Sequence, residues 1–185
     1  MSTSSNILSQ LDTLALNQPA TENAKVIQRR NIGFGIMKPN STTNTPILIK
    51  SLTDSNTNST QFSITQTNEV PDETEDASIV LSQEVVGKAT NKPIYSYLFK
   101  KPSLFLSNGG NLSIQSMVLS ASVGDVTIRN LTDPVKLGFQ TKKPNVTGLV
   151  NTCKFYDMQK QGRNFFVKSK NCTPGQNCSS VNCST

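Results

Sequence analysis

The chain lacks histidine and tryptophan entirely, and only 6% of its 185 residues are aromatic. Without histidine there is no imidazole to act as a general base, to activate a serine or cysteine nucleophile, or to bind a metal ion. A phosphate-binding glycine loop is also missing, because Gly33-Phe34-Gly35 has neither the third glycine nor a following helical pattern. We therefore expect no conventional enzyme and no cofactor, and we interpret Gly33-Phe34-Gly35 as a place where strands pack closely.

Long hydrophobic runs and concentrated charge are missing as well. No stretch approaches the ~20 apolar residues of a membrane span, and the first residues lack the pattern of a signal peptide. The net charge is +6, but the basic residues occur as separate pairs at Arg29-Arg30, Lys100-Lys101 and Lys142-Lys143. Such pairs indicate solvated loops or strand edges, and without stacking aromatics beside them they predict no nucleic-acid surface.

The acidic residues do not follow the pattern of a metal site. Asp72, Glu73, Glu75 and Asp76 match no calcium-binding loop and lack the glycine that its tight turn requires. The cysteines lack the paired C-x2-C spacing of a zinc site. We predict a solvated acidic loop over 68–76 and no bound metal.

The cysteines point instead to disulfides. All four, Cys153, Cys172, Cys178 and Cys183, fall in the last fifth of the chain. An even number crowded into one region is typical of a local disulfide staple formed in an oxidising compartment, although spacing alone leaves the pairing open.

Asn-X-Ser/Thr tripeptides are frequent, which is typical of a secreted glycoprotein, although a merely polar sequence would also contain some of them. They begin at Asn40, Asn58, Asn111, Asn130, Asn145, Asn171, Asn177 and Asn182.

The hydrophobic pattern predicts an all-β fold preceded by one short helix. Apolar residues between Asn6 and Leu16 follow helical spacing. From there on the pattern is alternation, which predicts short half-buried strands separated by polar turns and hence a two-sheet sandwich. The predicted strands are centred on 32–36, 47–49, 61–65, 78–81, 95–99, 104–106, 112–123, 126–128 and 135–139.

Several segments resemble one family in order and spacing. The run 117–124 followed by 130–137 resembles the strand pair that precedes the cleavage motif of adhesion G-protein-coupled receptors. Cys153-Lys154-Phe155-Tyr156-Asp157 resembles the opening of that motif, the GPS, with Tyr156 in place of its first tryptophan. The upstream segments 77–81 and 103–105 also resemble strands of the family's GAIN domain.

The resemblance implies a domain division and a disulfide pairing. Residues 1–22 would be the end of the helical subdomain with a linker, and residues 23–185 the β-sandwich subdomain, with the GPS-like region at 153–185. The family pairs its first cysteine with the third and its second with the fourth, which implies Cys153 with Cys178 and Cys172 with Cys183.

The departures from the family motif bear on cleavage. Self-cleaving members place a histidine two residues after the last cysteine, then a leucine and a serine or threonine nucleophile. Thr185 stands at the histidine position here. Because a hydroxyl without a general base is a poor nucleophile, the resemblance implies inefficient cleavage, with Ser184 and Thr185 as the weak nucleophile candidates.

The resemblance as a whole implies an extracellular regulatory domain at the plasma membrane. It would shield or present a tethered agonist to the seven-transmembrane part of the same receptor, its principal partner. Two alternatives remain open, a domain that cleaves itself once and an adhesion module that binds an extracellular protein ligand.

Overall fold

The computed structural model describes residues 10–11, 13–14, 17–21, 23–40, 42–43, 45–72, 74–101, 105, 116–124, 126, 128 and 130–140, and the backbone of 153–156, 164–167 and 180–184. Within these ranges the chain forms β1 (Lys25–Gln28), β2 (Ile32–Met37), β3 (Ile47–Thr53), β4 (Thr60–Gln66), β5 (Ala77–Leu81), α1 (Gln83–Lys88), β6 (Ile94–Phe99), β7 (Val118–Val123), β8 (Lys136–Gln140), β9 (Cys153–Tyr156), β10 (Asn164–Val167) and β11 (Ser180–Ser184).

The strands form two larger antiparallel sheets and one hairpin. The four-stranded sheet has the order β1-β2-β6-β7, the five-stranded sheet has the order β11-β8-β5-β3-β4, and β9 pairs with β10. Buried residues of both larger sheets belong to one hydrophobic core, which includes Ile49 and Ile79 of the five-stranded sheet and Leu98 of the four-stranded sheet. The predicted two-sheet β-sandwich is confirmed.

The glycines of β2 bring the two sheets close together. A Cβ atom on Gly33 would lie 2.9 Å from Cδ1 of Phe62, and one on Gly35 would lie 3.2 Å from Cγ2 of Ile64. Any larger residue would push β4 away, because cores are packed too densely to absorb extra atoms. The interpretation of Gly33-Phe34-Gly35 as a close strand contact is therefore confirmed.

A second apolar layer covers the outer face of the four-stranded sheet. Tyr95, Tyr97 and Phe99 alternate with the core residues of β6, and they are nearly inaccessible. Leu11 packs against this layer, and the hydroxyl of Tyr97 donates a hydrogen bond to its carbonyl oxygen at 2.8 Å. All six residues of β6 are buried because both faces of this strand are covered.

The helical prediction for 6–16 agrees with the structure where the structure describes it, at residues 10, 11, 13 and 14. The remainder of that segment lies outside the described residues. No helix in the part of the chain that the structure describes has the length and apolar character needed to cross a bilayer.

Two strand predictions were wrong. Val126 and Ile128 are not in a strand, and they instead pack against the core as half-buried loop residues. Phe105 lies in a 3-10 turn, where its ring meets that of Phe99 edge-on at 5.1 Å. In both places the apolar residues that suggested a strand are explained by packing of irregular backbone onto a sheet. The remaining residues of the predicted strand at 104–106 lie outside the described ranges.

Candidate functional site

The GPS-like end of the chain enters the sandwich through β11. This strand pairs antiparallel with β8, with Val181 opposite Phe139, Cys183 opposite Leu137 and Ser184 opposite Lys136. β11 is the outermost strand of the five-stranded sheet, and β8 is its hydrogen-bonded neighbour. Ser184, one of the two predicted nucleophile candidates, is thus the last residue of a paired strand, whereas Thr185 lies outside the described residues.

Cys183 stands at the end of a cross-strand row of residues that runs into the core. Cys183 is opposite Leu137, which is opposite Ile79, which is opposite Ile49. Ile49 and Ile79 are 0% and 4% exposed, whereas Leu137 is only half-buried. Burial therefore decreases along this row from the centre of the sheet toward β11.

The decrease has a geometric cause. β7, the outer strand of the four-stranded sheet, faces β5 of the five-stranded sheet. β8 and β11 lie beyond β5 in the strand order of that sheet, and we call these two strands the overhang. In the part of the chain that the structure describes, half-buried side chains such as Val126, Leu131 and Val135 pack against the core beside it.

The loop before β8 is held by α1. Oε2 of Glu84 accepts hydrogen bonds from the backbone N–H of Thr132 at 2.7 Å, from the Thr132 hydroxyl at 2.9 Å and from the N–H of Asp133 at 3.1 Å. The hydroxyl of Ser82 donates to the carbonyl oxygen of Asp133 at 3.0 Å. We call these contacts the Glu84 clamp. They fix the chain just before Lys136, the residue opposite Ser184.

The clamp also determines the acidity of Glu84. Its other oxygen, Oε1, lies 2.8 Å from Nζ of Lys88, one helical turn away. The hydrogen bond from Lys88, followed by those from Asp133 and Thr132, lowers the pKa of Glu84 to about 2. A carboxylate this acidic is a weak base, so Glu84 cannot activate a hydroxyl near neutral pH.

The acidic loop contains an ion pair between a buried carboxylate and a partly exposed lysine, which the sequence did not predict. Glu75 is 5% exposed, and its Oε1 lies 2.9 Å from Nζ of Lys50 on β3. The hydrogen bond to Glu75 raises the pKa of Lys50 above its usual value. Asp72 is exposed as expected, so the prediction of a solvated loop was right for that residue and wrong for Glu75. No pattern marks the pair, because its partners lie on separate elements.

Among the residues that the structure describes, no group of three or more Asp, Glu, Cys or His side chains is arranged to hold a metal ion. The acidic loop instead holds the ammonium group of Lys50. The carboxylate of Glu75 in this loop is therefore paired with a lysine of the protein itself.

Three predicted glycosylation sites lie in described loops. Asn58 and Asn130 are exposed, and both have φ of 52°, a left-handed conformation that asparagine tolerates better than most residues. Oδ1 of Asn40 accepts hydrogen bonds from the N–H and the hydroxyl of Thr42 at 2.9 and 2.6 Å. Asn182 belongs to β11, and the sites at 111, 145, 171 and 177 lie outside the described residues.

The remaining motif residues are described by their backbone only. Cys153 and Phe155 belong to β9 and pair with Val167 and Phe165 of β10. Tyr156 is also in β9, whereas Cys172, Cys178 and Asp157 lie outside the described residues. The disulfide pairing therefore remains a prediction.

Comparison with known proteins identifies a family and solved structures of similar fold. The family model described as GPS, GAIN subdomain B, matches residues 12–184. The structure of the full extracellular region of zebrafish Gpr126/Adgrg6 resembles this chain with a TM-score of 0.75 and 19% sequence identity. The similarity covers 98% of this chain and 25% of that one, and at this identity it concerns the fold. A search of curated proteins finds no match.

Proposed function

The chain belongs to the GAIN subdomain B family, and from that premise we propose that it is the extracellular regulatory domain of an adhesion G-protein-coupled receptor. GAIN domains are not conventional enzymes. In this role the sandwich shields an activating segment that follows Thr185 until a ligand or a pulling force releases it. The seven-transmembrane part of the same receptor is the partner that receives the segment.

The overhang is the observation that carries the shielding role. Leu137 and Phe139 share cross-strand rows with the fully buried residues Ile49 and Ser51, yet both are only half-buried. A segment that continues from β11 would follow Ser184, the residue opposite Lys136 at the start of β8. Covering Leu137 and Phe139 would remove apolar surface from water at about 25 cal/mol per Å², which favours a sheltered position for an apolar peptide.

Release of the segment can be tested in the parent receptor. Asn182→Pro fixes φ of this residue at about −65°, away from the value of about −140° in an antiparallel strand, and removes its backbone N–H in the middle of β11. We expect this variant to raise basal G-protein signalling. Asn182→Ala is the matched control, because it removes the same side chain and the same Asn-X-Ser tripeptide but keeps the backbone N–H. Equal basal signalling in the Asn182→Pro variant, the control and the unchanged receptor, at equal surface expression, would contradict shielding.

We further propose that the domain does not cleave itself efficiently. The chain has no histidine, and Glu84 is committed to the clamp, so Ser184 and Thr185 lack the general base that commonly supplies about 10²–10⁴ in rate. The alternative is a single self-cleavage that uses one of these hydroxyls. Denaturing gels of the parent receptor separate the two proposals, since one band supports an intact chain and two bands support cleavage.

The domain division is proposed on the same family basis. Residues 1–22 are assigned to the end of a helical subdomain and a linker, and 23–185 to the sandwich. The contact of Leu11 with the outer aromatic layer supports this assignment, because it places a helical residue on a face that the sandwich core does not use.

We also propose two covalent features of the extracellular domain, disulfides and N-linked glycans. Disulfides Cys153–Cys178 and Cys172–Cys183 would each contribute about 2–4 kcal/mol. Mass spectrometry without reduction is expected to find no free thiols, and four free thiols would exclude them. Glycans at the exposed asparagines Asn58 and Asn130 are expected to appear as a mass loss after enzymatic deglycosylation.

A further inference from the structure

Basic residues that are distant in the sequence meet at one end of the four-stranded sheet. β2 and β6 are paired, and beyond the last pair the N–H of Lys100 donates to the carbonyl oxygen of Asn31 at 3.0 Å. The turn between β1 and β2 therefore lies beside the end of β6. Two separate pairs in the sequence become one group, here called the basic end: Arg29, Arg30, Lys100 and Lys101.

The charge of the basic end is not neutralised within the described structure. Arg29, Arg30 and Lys101 are exposed, and Lys100 is partly exposed. The ion pairs found among the described residues, Lys50–Glu75 and Lys88–Glu84, involve none of the four. The guanidinium group of Arg29 donates to the carbonyl oxygen of its neighbour Gln28 at 3.4 Å, which leaves its charge without an anion in the described structure. All four cations can therefore face an external anion.

One carboxylate at the same end of the sandwich, that of Asp54, is hydrogen-bonded within its own turn. Asp54 lies in the turn between β3 and β4, where one oxygen accepts from the N–H of Asn56 at 2.8 Å and the other from the hydroxyl of Thr57 at 2.9 Å. The hydrogen bond from Asn56, then that from Thr57, lowers the pKa of Asp54. Asp54 stays ionised, but these bonds hold its side chain in its own turn, and among the described residues it forms no ion pair with the four basic ones.

We propose that the basic end binds a sulfated glycosaminoglycan chain. A guanidinium group can engage a sulfate through two parallel N–H bonds, and lysines add point charges beside it. A linear polyanion can lie across a convex strand end and needs no cavity. This inference rests on the extracellular location in the proposed function, because sulfated chains are found there.

Other polyanions fit the surface less well. Single-stranded nucleic acid is held by exposed aromatic side chains that stack on its bases. Among the described residues the large exposed apolar side chains are Leu14, Val26, Ile27, Leu52 and Val70, none of which is aromatic. The basic end therefore offers charge without stacking surfaces.

The test is binding to immobilised heparin at about 0.15 M salt. We expect the unchanged chain to bind and Arg30→Gln with Lys101→Gln to weaken its affinity on the order of tenfold, since each basic group at an anionic surface contributes a few-fold. The matched control is Lys25→Gln with Lys38→Gln, which removes the same charge from the opposite end of the same sheet. The control is expected to keep its affinity within about twofold.

Three results would overturn the inference. Absence of heparin binding by the unchanged chain is one, and equal weakening in both double variants is another, because it would reflect net charge alone. The third is binding to phosphatidylserine vesicles or single-stranded DNA as tight as binding to heparin. Failure here would leave the Asn182→Pro signalling test unaffected, so a wrong ligand and a wrong regulatory role give different results.

Discussion

The two long sides of the sandwich are closed in different ways. Where β1 meets β4, the side-chain amide of Gln28 donates to the carbonyl oxygen of Thr60 and accepts from the N–H of Phe62, so one side chain satisfies both edge groups. Where β7 faces β5, by contrast, β8 and β11 continue the five-stranded sheet beyond β5. One side is sealed by residues of the sandwich itself, and the other leaves half-buried apolar rows next to the GPS-like strand.

This difference indicates how the domain can be stable while β11 and the segment that follows it can still be released. The Gln28 side supplies dense packing through Gly33, Gly35 and Phe62. The overhang contributes less burial and therefore costs less to open, which is expected of a segment that must be freed. The predictions that follow test this contrast, beginning with the largest effect.

Core truncations should differ between the two sides. Phe62→Ala removes a ring that is 6% exposed and fills the space above Gly33, and we expect a loss of about 3–5 kcal/mol in the free energy of unfolding. Phe139→Ala, in the half-buried overhang, should cost about 1–2 kcal/mol. Urea unfolding of both variants measures the two losses in free energy of unfolding. Equal losses would contradict the proposed difference in packing between the two sides.

The ion pair between Lys50 and Glu75 lies between the two sides, and its removal tests how the middle of the five-stranded sheet contributes to stability. Lys50→Met leaves the carboxylate of Glu75 buried without its partner, and we expect a loss of about 1–3 kcal/mol, moderated by the partial exposure of Lys50. Replacing both residues with methionine should recover most of it, because the unpaired charge is gone. A double variant as unstable as the single one would show that the pair itself, and not the stranded charge, matters.

The amide of Gln28 tests the sealed side directly. Gln28→Ala leaves two edge groups of β4 without a protein partner and should cost about 1–2 kcal/mol. Gln28→Glu can still accept from the N–H of Phe62, but its second oxygen would face the carbonyl oxygen of Thr60 and repel it, so its loss should be at least as large. Hydrogen exchange should become faster at Phe62 in the alanine variant, and unchanged exchange there would contradict the seal.

The Glu84 clamp should give the smallest effect, and it depends on pH. The folded-state pKa of about 2 lies below the ordinary value of 4.5, so the stabilisation is present above the ordinary value and is lost as pH falls toward 2. We expect the melting temperature of the unchanged chain to fall over this range more steeply than that of Glu84→Gln. Parallel melting curves against pH would show that the clamp contributes nothing.

A strand such as β4 could be predicted from sequence because only one of its faces is buried. Phe62 and Ile64 belong to the core, whereas Gln61 and Thr65 are exposed. The strand β1 gave no such signal, since three of its four residues are exposed. α1 has only six residues, too few for a helical period to be recognised.

The site was predictable only where it follows the family motif. The GPS-like segment and its cysteines were visible as residues in order, but no strand was predicted over 180–184, where β11 lies. Glu84 and Thr132 are 48 residues apart, and the basic end joins pairs about 70 residues apart. Such contacts depend on which strands are neighbours, and strand order cannot be read from one sequence.

The central claim is that β11 is a paired but releasable strand of the five-stranded sheet. Hydrogen exchange of the intact protein tests it most directly, by comparing peptides that cover 180–184, 136–140 and 47–53 before and after reduction of the cysteines. We predict that 180–184 and 136–140 are protected together and lose protection together on reduction, while 47–53 stays protected. Unprotected amides at 180–184 beside a protected 136–140 in the unreduced protein would contradict the account.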